Sequence, residues 1–290
     1  MANFKLFSDS TNDLPASMAD ELNVTVIPLE FHVDGNNYVN YLDGRELSSK
    51  ALYDALRAGK PSGTSMVTSH RYTEAFEPVL KSGESILYLA FSSGLSGSYD
   101  QAVQAAAELN EKYSPQKVVV IDTLCASLGQ GLLVWYTAKK MEDGGSIDEV
   151  ADYTRNLIPS LCHWVTVDDL NHLKRGGRVS GASAVVGTLL GIKPIIHVDD
   201  DGKLIPVDKV RGRRQSLEYL ANKMNDTALD LTGQTVFISH GDSLEDATAL
   251  SEIIKSKMGV SDFVIHEIGP VIGSHSGPGT IALFFLGEKR

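Results

Sequence analysis

The chain has 290 residues, of which 42% are hydrophobic and 22% charged, and its formal net charge is −11. This length and ordinary globular composition are enough for two medium domains. The acidic balance argues against nucleic acid or an anionic membrane surface as a partner, because both need a basic protein face. The composition therefore predicts a protein that binds no nucleic acid.

Export, membrane insertion and metal binding are not indicated by the sequence. Residues 1–7 lack the cationic stretch and long apolar run of a signal peptide, and no apolar run reaches the roughly 18 residues of a spanning helix. Cys125 and Cys162 lie outside any CxxC or HxxxH spacing. We expect a cytoplasmic protein with free buried thiols, no stable membrane insertion, no metal and no cofactor.

Short apolar or β-branched runs alternate with amphipathic stretches along the chain, and this rhythm predicts an α/β fold with mainly parallel sheets. The predicted strands are Phe4–Phe7, Val24–Ile27, Ser85–Phe91, Val118–Ile121, Trp164–Val167, Pro194–Val198, Val236–Ser239, Phe263–His266 and Ile281–Phe285. Pro15 and Ser48 indicate helix starts. After Ser96, the spacing of Ala102, Ala105, Ala106 and Leu109 gives a helix one small apolar face.

The second half of the chain differs from the first. Its segment Asp199–Lys203 (DDDGK) has the chemistry of a tight turn between two strand-like runs, which predicts an antiparallel hairpin. This change of pattern is the basis for two α/β domains, which we place at 1–164 and 165–290.

The strongest local signal is the segment Ser92–Ser98 (SSGLSGS), which follows a predicted strand and opens a helix. Free N–H groups at a helix start favour an anion, and Ser92, Ser93 and Ser96 add hydroxyl donors. The segment contains no lysine or arginine, so one carboxylate fits it better than a polyphosphate. A simple helix cap with turn glycines remains an alternative.

Two further loops carry candidate binding groups. Thr64 and Ser65 precede another predicted helix and repeat the hydroxyl chemistry, so two converging donor loops would form one site. His275 lies among closely spaced glycines and prolines at 268–281. It could donate to a carboxylate, directly or through water, or act as a base; alternatively, it only satisfies a backbone carbonyl. Arg178 and Arg211 belong to basic clusters that suggest a docking face.

Taken together, these segments resemble the DegV family of bacterial fatty-acid-binding proteins over essentially the full length. The resemblance rests on Phe7–Pro15 (FSDSTNDLP), the Gly63–Ser65 loop (GTS), Ser92–Tyr99 (SSGLSGSY), Ile121–Gly131 (IDTLCASLGQG), Leu173–Gly181 (LKRGGRVSG), Leu189–Ile196 (LLGIKPII), Lys209–Arg214 (KVRGRR) and Ile272–Gly279 (IGSHSGPG). It implies two α/β domains that enclose an acyl chain in a narrow apolar tunnel between them.

The resemblance also implies roles for individual residues. Hydroxyls of Thr64, Ser65, Ser93 and Ser96 would hold the carboxylate of a long-chain fatty acid such as palmitate or oleate, with His275 nearby through water. The implied protein is not an enzyme but an acyl carrier. The family commonly has proline two residues after its Thr-Ser pair, whereas this chain has Val67.

Some members of the family present the bound fatty acid to a separate fatty acid kinase. Arg178 and Arg211 match basic positions implicated in docking to that kinase, so the resemblance gives a fatty acid kinase as a partner.

An enzymatic alternative comes from the same loops. Ser93 could be the nucleophile and His275 the base of a serine-dependent hydrolase or acyltransferase, with helix-start N–H groups as an oxyanion hole. This alternative requires the two side chains to lie within hydrogen-bonding distance of each other.

Overall fold

The computed structural model of the protein describes residues 4–179 and 191–290. The ends of two motif segments, 180–181 and 189–190, lie outside the described residues. In chain order the elements are β1 Phe4–Asp9, α1 Ala16–Glu21, β2 Val24–Ile27, β3 Glu30–Val33, β4 Asn36–Val39, α2 Ser49–Arg57, β5 Ser62–Ser65, α3 Ser69–Lys81, β6 Ser85–Ala90, α4 Ser98–Lys112, β7 Val118–Asp122, α5 Leu128–Glu142, α6 Ile147–Leu157, β8 Leu161–Thr166, α7 Asn171–Arg175, β9 Ile192–Val198, β10 Leu204–Arg211, α8 Arg213–Thr227, β11 Val236–His240, α9 Leu244–Met258, β12 Phe263–Glu267, α10 Pro270–Ser276 and β13 Ile281–Leu286. Within the described ranges, no helix combines the length and apolarity that a membrane crossing requires.

The first sheet is the parallel α/β sheet that the sequence predicts. Its strand order is β2-β1-β6-β7, and each neighbouring pair is parallel. Strand β6 is the clearest example of a buried central strand, since only its first residue is partly exposed. Parallel strands end at the same edge of a sheet, so the loops after β6 and β7 lie side by side.

The second sheet has the order β10-β9-β8-β13-β11-β12. It corrects the expectation of mainly parallel sheets, since four of its five neighbouring pairs are antiparallel and only β11 and β12 run parallel. Apolar runs identify strands, but they do not reveal the direction of pairing between strands that are distant in sequence. The two α/β domains themselves are confirmed.

The predicted hairpin is present between β9 and β10. The Asp199 N–H donates to the Lys203 carbonyl at 3.0 Å, and Gly202 adopts a positive φ of 71° in the turn. The hairpin lies in the second domain, as expected.

Strand β8 carries the predicted domain boundary between residues 164 and 165. All six of its residues belong to the second sheet, where they pair with β13. We therefore propose that the division between the domains falls just before Leu161, after the short 3-10 helix Ile158–Ser160.

The helix α5 lies at the contact between the two domains. Its Leu132 belongs to one hydrophobic cluster with Leu89 of the first sheet and with Phe237 and Phe284 of the second. The domains therefore share a continuous core, which fixes the loops at the end of the first sheet against the face of the second.

A small third sheet, with the order β4-β3-β5, was not predicted. Its strand β5 consists of Ser62–Ser65 (SGTS) and has no apolar alternation that would indicate a strand. It contacts α10 of the second domain, where the Ser62 hydroxyl donates to the Ser274 carbonyl at 3.1 Å. This contact places the Thr-Ser loop next to the histidine loop.

Candidate ligand-binding site

A cavity of about 240 Å³ lies between the loops at the end of the first sheet and the inner face of the second. Most of its wall is apolar. The apolar lining residues are Leu29, Met66, Phe91, Leu95, Ala126, Val165, Val167, Leu173, Val198, Leu204, Ile268, Val271, Ile272, Ala282 and Phe284. Such a space suits a hydrocarbon ligand, because burial of apolar surface supplies most of its binding free energy.

Two predicted site residues meet in the wall of this cavity. Thr64 Oγ1 of β5 lies 2.9 Å from His275 Nε2 of α10, and both side chains are half-buried. Burial, together with the nearby positive charge of Arg178, lowers the pKa of His275 to about 4. The imidazole is therefore neutral at pH 7, and it forms a polar pair with the threonine without carrying a charge.

The position of His275 depends on a glycine of another segment. A Cβ atom added to Gly176, just after α7, would lie 2.2 Å from His275 Nδ1. No side chain fits there without moving the imidazole. The short distance explains why a glycine stands at this position, whose φ of −74° any residue could adopt.

Arg178 also lines the cavity. Its Nε donates to the Leu95 carbonyl at 2.8 Å, and its Nη1 donates to the Gly176 carbonyl. Among the described lining residues, Arg178 carries the one permanent positive charge. Arg211, the other predicted docking residue, lies exposed at the end of β10 and does not line the cavity.

The serine-rich loop separates into residues with different roles. Ser92 is buried and donates to the Gly202 carbonyl at 2.8 Å. Ser93 is exposed, and its backbone N–H donates to Asp122 Oδ1 at 3.1 Å. Ser96 lines the cavity, with its Oγ 3.0 Å from Ser98 Oγ.

These positions correct the expectation for Ser93. The structure does not bring it to the cavity lining: Ser93 is exposed, whereas the preceding Ser92 is buried and bonded to Gly202. Thr64, Ser65, Ser96 and His275 do line one cavity, as two converging donor loops require.

Val67 links the two hydroxyl loops. Its backbone N–H donates to Ser98 Oγ at 3.2 Å. Proline has no N–H, so it could not form this bond. The departure at residue 67 therefore gives this chain an additional hydrogen bond between the Thr-Ser loop and the serine-rich loop.

Sequence reasoning missed four polar residues of the wall, which are Ser127, His163, Ser276 and Thr280. Ser127 lies just before α5 and donates to Asp13 Oδ2 at 2.6 Å. His163 lies on β8, and its Nδ1 is 3.2 Å from the Leu161 carbonyl. His163 has no partner at a characteristic sequence spacing, whereas Ser127, Ser276 and Thr280 lie inside the segments Ile121–Gly131 and 268–281, where other residues drew attention.

The geometry does not form the Ser93–His275 pair that a serine enzyme would need. The His275 Nε2 atom is bonded to Thr64, while Ser93 is exposed outside the cavity. Across residues 4–179 and 191–290, no group of three or more His, Cys, Asp or Glu side chains could hold a metal ion.

Comparison with known proteins identifies the family. A family model described as "Uncharacterised protein, DegV family" matches residues 3–288. The chain belongs to the DegV family. A DegV domain-containing protein of Clostridium perfringens is 46% identical to it over 100% of this chain and 99% of the relative. A second relative, from Lactococcus lactis, is 36% identical over 99% of this chain and 98% of its own length.

Solved DegV structures share the fold over nearly the full chain. A fatty-acid-binding DegV family protein from Thermus thermophilus has a TM-score of 0.87 at 29% identity, covering 98% of this chain and 99% of its own. A DegV lipid-binding protein from Thermotoga maritima has a TM-score of 0.87 at 28% identity and covers 99% of both chains. These DegV relatives are thus described as binding fatty acids or lipids.

Proposed function

We propose that this DegV protein binds one long-chain fatty acid, such as palmitate or oleate, in the cavity between its domains. The observation that carries the proposal is the Thr64–His275 pair in the wall of an otherwise largely apolar cavity. Hydroxyls of Thr64, Ser65 and Ser96, together with His275, would hold the carboxylate. Ser93 is left out of this set because it does not line the cavity.

Arg178, for which the sequence suggested a docking role, lines this cavity and brings a positive charge to it. Its guanidinium lies near enough to His275 to lower the pKa of the imidazole. The same positive charge would attract a carboxylate. A charge-assisted hydrogen bond contributes about 1.5 to 3 kcal/mol, roughly twice a neutral one. Arg178 is therefore the strongest candidate for setting the orientation of the acid.

The acyl chain would supply most of the affinity. Burying about 14 methylenes at about 0.8 kcal/mol each gives on the order of 11 kcal/mol before association costs are subtracted. The polar groups then determine which end of the ligand lies beside His275. This division of roles suits a carrier that holds its ligand unchanged, so we propose a non-catalytic binding protein.

We further propose that the bound fatty acid is presented to a fatty acid kinase. The exposure of Arg211 is compatible with a docking role, and this residue does not line the cavity. Its replacement should therefore slow delivery to the kinase without changing affinity for the ligand.

The test compares the two arginines in the delipidated protein. Octadecanoate binding to Arg178→Gln should be weaker than wild type by about tenfold or more, because a charge-assisted hydrogen bond is lost. Arg211→Gln should bind like wild type. Octadecanol, which has no charge, should lose much less affinity for Arg178→Gln. Isothermal titration and mass spectrometry of extracted lipid supply the readouts.

Two results would contradict the proposal. One is the absence of any fatty acid in the purified protein, together with no octadecanoate binding after delipidation. The other is equal octadecanoate affinity in wild type and Arg178→Gln. That result would mean that the carboxylate does not lie at the end of the cavity next to His275.

A further inference from the structure

A second polar region of the cavity wall has no role in holding the carboxylate. It consists of Asp13, Ser127, His163 and Ser239, which we call the buried polar cluster; all four are fully or almost fully buried. Ser127 Oγ lies 2.6 Å from Asp13 Oδ2 and 3.0 Å from Ser239 Oγ. Ser127 and His163 line the cavity, whereas Asp13 and Ser239 do not line it and hold Ser127 from behind.

The backbone of Ser127 is held in an unfavourable conformation. Its φ of 53° and ψ of −146° lie in a region that favours glycine, and the helix α5 begins at the next residue. Such a conformation persists only where the surrounding structure enforces it. Glycine would be the favoured residue in this conformation. The serine that stands here instead places a hydroxyl at the surface of the cavity.

The free hydrogen-bonding capacity of the cluster is that of an acceptor. His163 Nδ1 faces the Leu161 carbonyl at 3.2 Å, so Nδ1 carries the proton and Nε2 is the acceptor. Nε2 accepts the Ala126 N–H at 3.5 Å and lies against Gly129 of α5, where an added Cβ would be 2.2 Å away, so the single lone pair of this nitrogen is already used. The single proton of Ser127 is used towards Asp13 or Ser239, and its oxygen keeps a lone pair.

The surroundings determine which ligand group would fit. Ala126, Val165, Ala282 and Phe284 line the same cavity and are apolar. Arg178, the one permanent cation among the described lining residues, lies beside His275 and is bonded to two carbonyls. A ligand with a second carboxylate would therefore find no counter-charge at the cluster. A neutral hydroxyl on the ligand, in contrast, can donate to an acceptor atom of the cluster.

We propose that the cavity accepts acyl chains that carry a hydroxyl group along the chain, and that Ser127 is the hydrogen-bonding station for that hydroxyl. The inference rests on the proposed fatty acid binding and specifies its ligand class. Burying a hydroxyl in a purely apolar cavity costs affinity, and this cost is removed only where a partner is present. The protein would thus distinguish hydroxylated from unsubstituted acids by the position of the hydroxyl.

The test uses octadecanoic acid and a series of hydroxyoctadecanoic acids whose hydroxyl is placed at successive carbons. At least one isomer should bind the wild-type protein more tightly than octadecanoic acid, by about threefold or more. The variant Ser127→Gly suits the positive φ and removes the hydroxyl, so the preference should disappear; because Asp13 also loses a hydrogen-bond partner, octadecanoic acid binding serves as the check on the fold. Ser239→Ala is the control, since Ser239 does not line the cavity, and it should keep the preference.

Octadecanoic acid itself reports on the fold and on the proposed function. If the wild-type protein does not bind it, the proposed function fails before the hydroxyl question arises. If it binds but every hydroxy isomer binds more weakly, the hydrogen-bonding station is refuted. The same conclusion follows if the preferred isomer keeps its advantage in Ser127→Gly.

Discussion

The two polar regions of the cavity are held in different ways. The region proposed to hold the carboxylate, which we call the acid end, is formed by Thr64, Ser96, Arg178 and His275, half-buried side chains from four separate segments. The buried polar cluster around Ser127 is closed off from solvent and bonded to groups behind the wall. The two regions also differ in charge, since Arg178 belongs to the first.

With the proposed ligand, this difference would allow one cavity to combine exchange with selectivity. Half-buried groups such as Thr64 and His275 can give up water for a carboxylate at little cost, because neither partner is fully desolvated beforehand. A fully buried group such as Ser127, which is held by hydrogen bonds, cannot be rearranged for each ligand, so in our proposal it determines which ligands fit. We expect mutations at the acid end to change affinity for every fatty acid, and mutations in the cluster to change preference among them.

The largest expected effect on ligand affinity comes from Gly176→Ala, which changes the acid end and leaves the buried polar cluster unchanged. The added methyl would lie 2.2 Å from His275 Nδ1, so the imidazole must move and lose its bond to Thr64. Because a polar group facing the carboxylate is displaced, octadecanoate affinity should fall by about tenfold or more. Fluorescence or calorimetric titration of the delipidated protein measures it.

The neighbouring glycine provides the control for that substitution. At Gly177 a Cβ would have no atom within 4 Å, although the positive φ of 66° makes alanine unfavourable there. Gly177→Ala should therefore lower stability and leave octadecanoate affinity nearly unchanged. Equal losses of affinity in the two alanine variants would mean that backbone strain, and not contact with His275, controls binding.

A smaller effect separates the two serines of one loop. Ser96→Ala should weaken octadecanoate binding by about fivefold, which corresponds to one hydrogen bond of about 1 kcal/mol. Ser93→Ala should bind like wild type, because Ser93 is exposed outside the cavity. The reverse order, with Ser93→Ala the weaker binder, would restore the role that the sequence suggested for Ser93 and place the carboxylate outside this cavity.

Much of the fold could be predicted because its strands are marked by local patterns. Strands such as β6 and β7 are apolar runs, and the turn at Asp199–Lys203 carries a characteristic turn sequence. Strand β5 could not be recognised, since SGTS has no apolar alternation and is stabilised by pairing with β3. The antiparallel arrangement of the second sheet depends on contacts between distant segments, which the local sequence does not encode.

The acid end could be predicted only in part, for a related reason. Thr64, Ser96 and His275 were visible because hydroxyl and glycine-rich loops stand out in the sequence. Choosing between Ser93 and Ser96 required knowledge of which way each side chain points, and that depends on the anchoring of Ser92 to Gly202. Ser127 was invisible as a site residue because its positive φ follows from tertiary packing.

The last prediction concerns stability instead of ligand affinity: the pH dependence of stability should have opposite signs in the two regions. His275 has its pKa lowered from 6.5 to about 4 in the folded protein, so between these values the unfolded chain binds more protons, and stability should rise with pH. Burial raises the pKa of Asp13 from 3.8 to about 8. The folded chain then binds more protons, and stability should fall as pH rises through that range.

Thermal unfolding of the ligand-free protein from about pH 4.5 to pH 8 tests both signs. The melting temperature of wild type relative to His275→Gln should increase as pH rises towards 6.5. Relative to Asp13→Asn it should decrease as pH rises towards 8, because the amide imitates the protonated carboxyl at every pH. If both differences moved in the same direction, the contrast between a neutral imidazole at the acid end and a protonated carboxyl behind Ser127 would be wrong. Opposite slopes of melting temperature against pH would mean that Asp13 carries no negative charge at neutral pH. A fatty acid anion could then bind near the hydroxyl station without repulsion from Asp13.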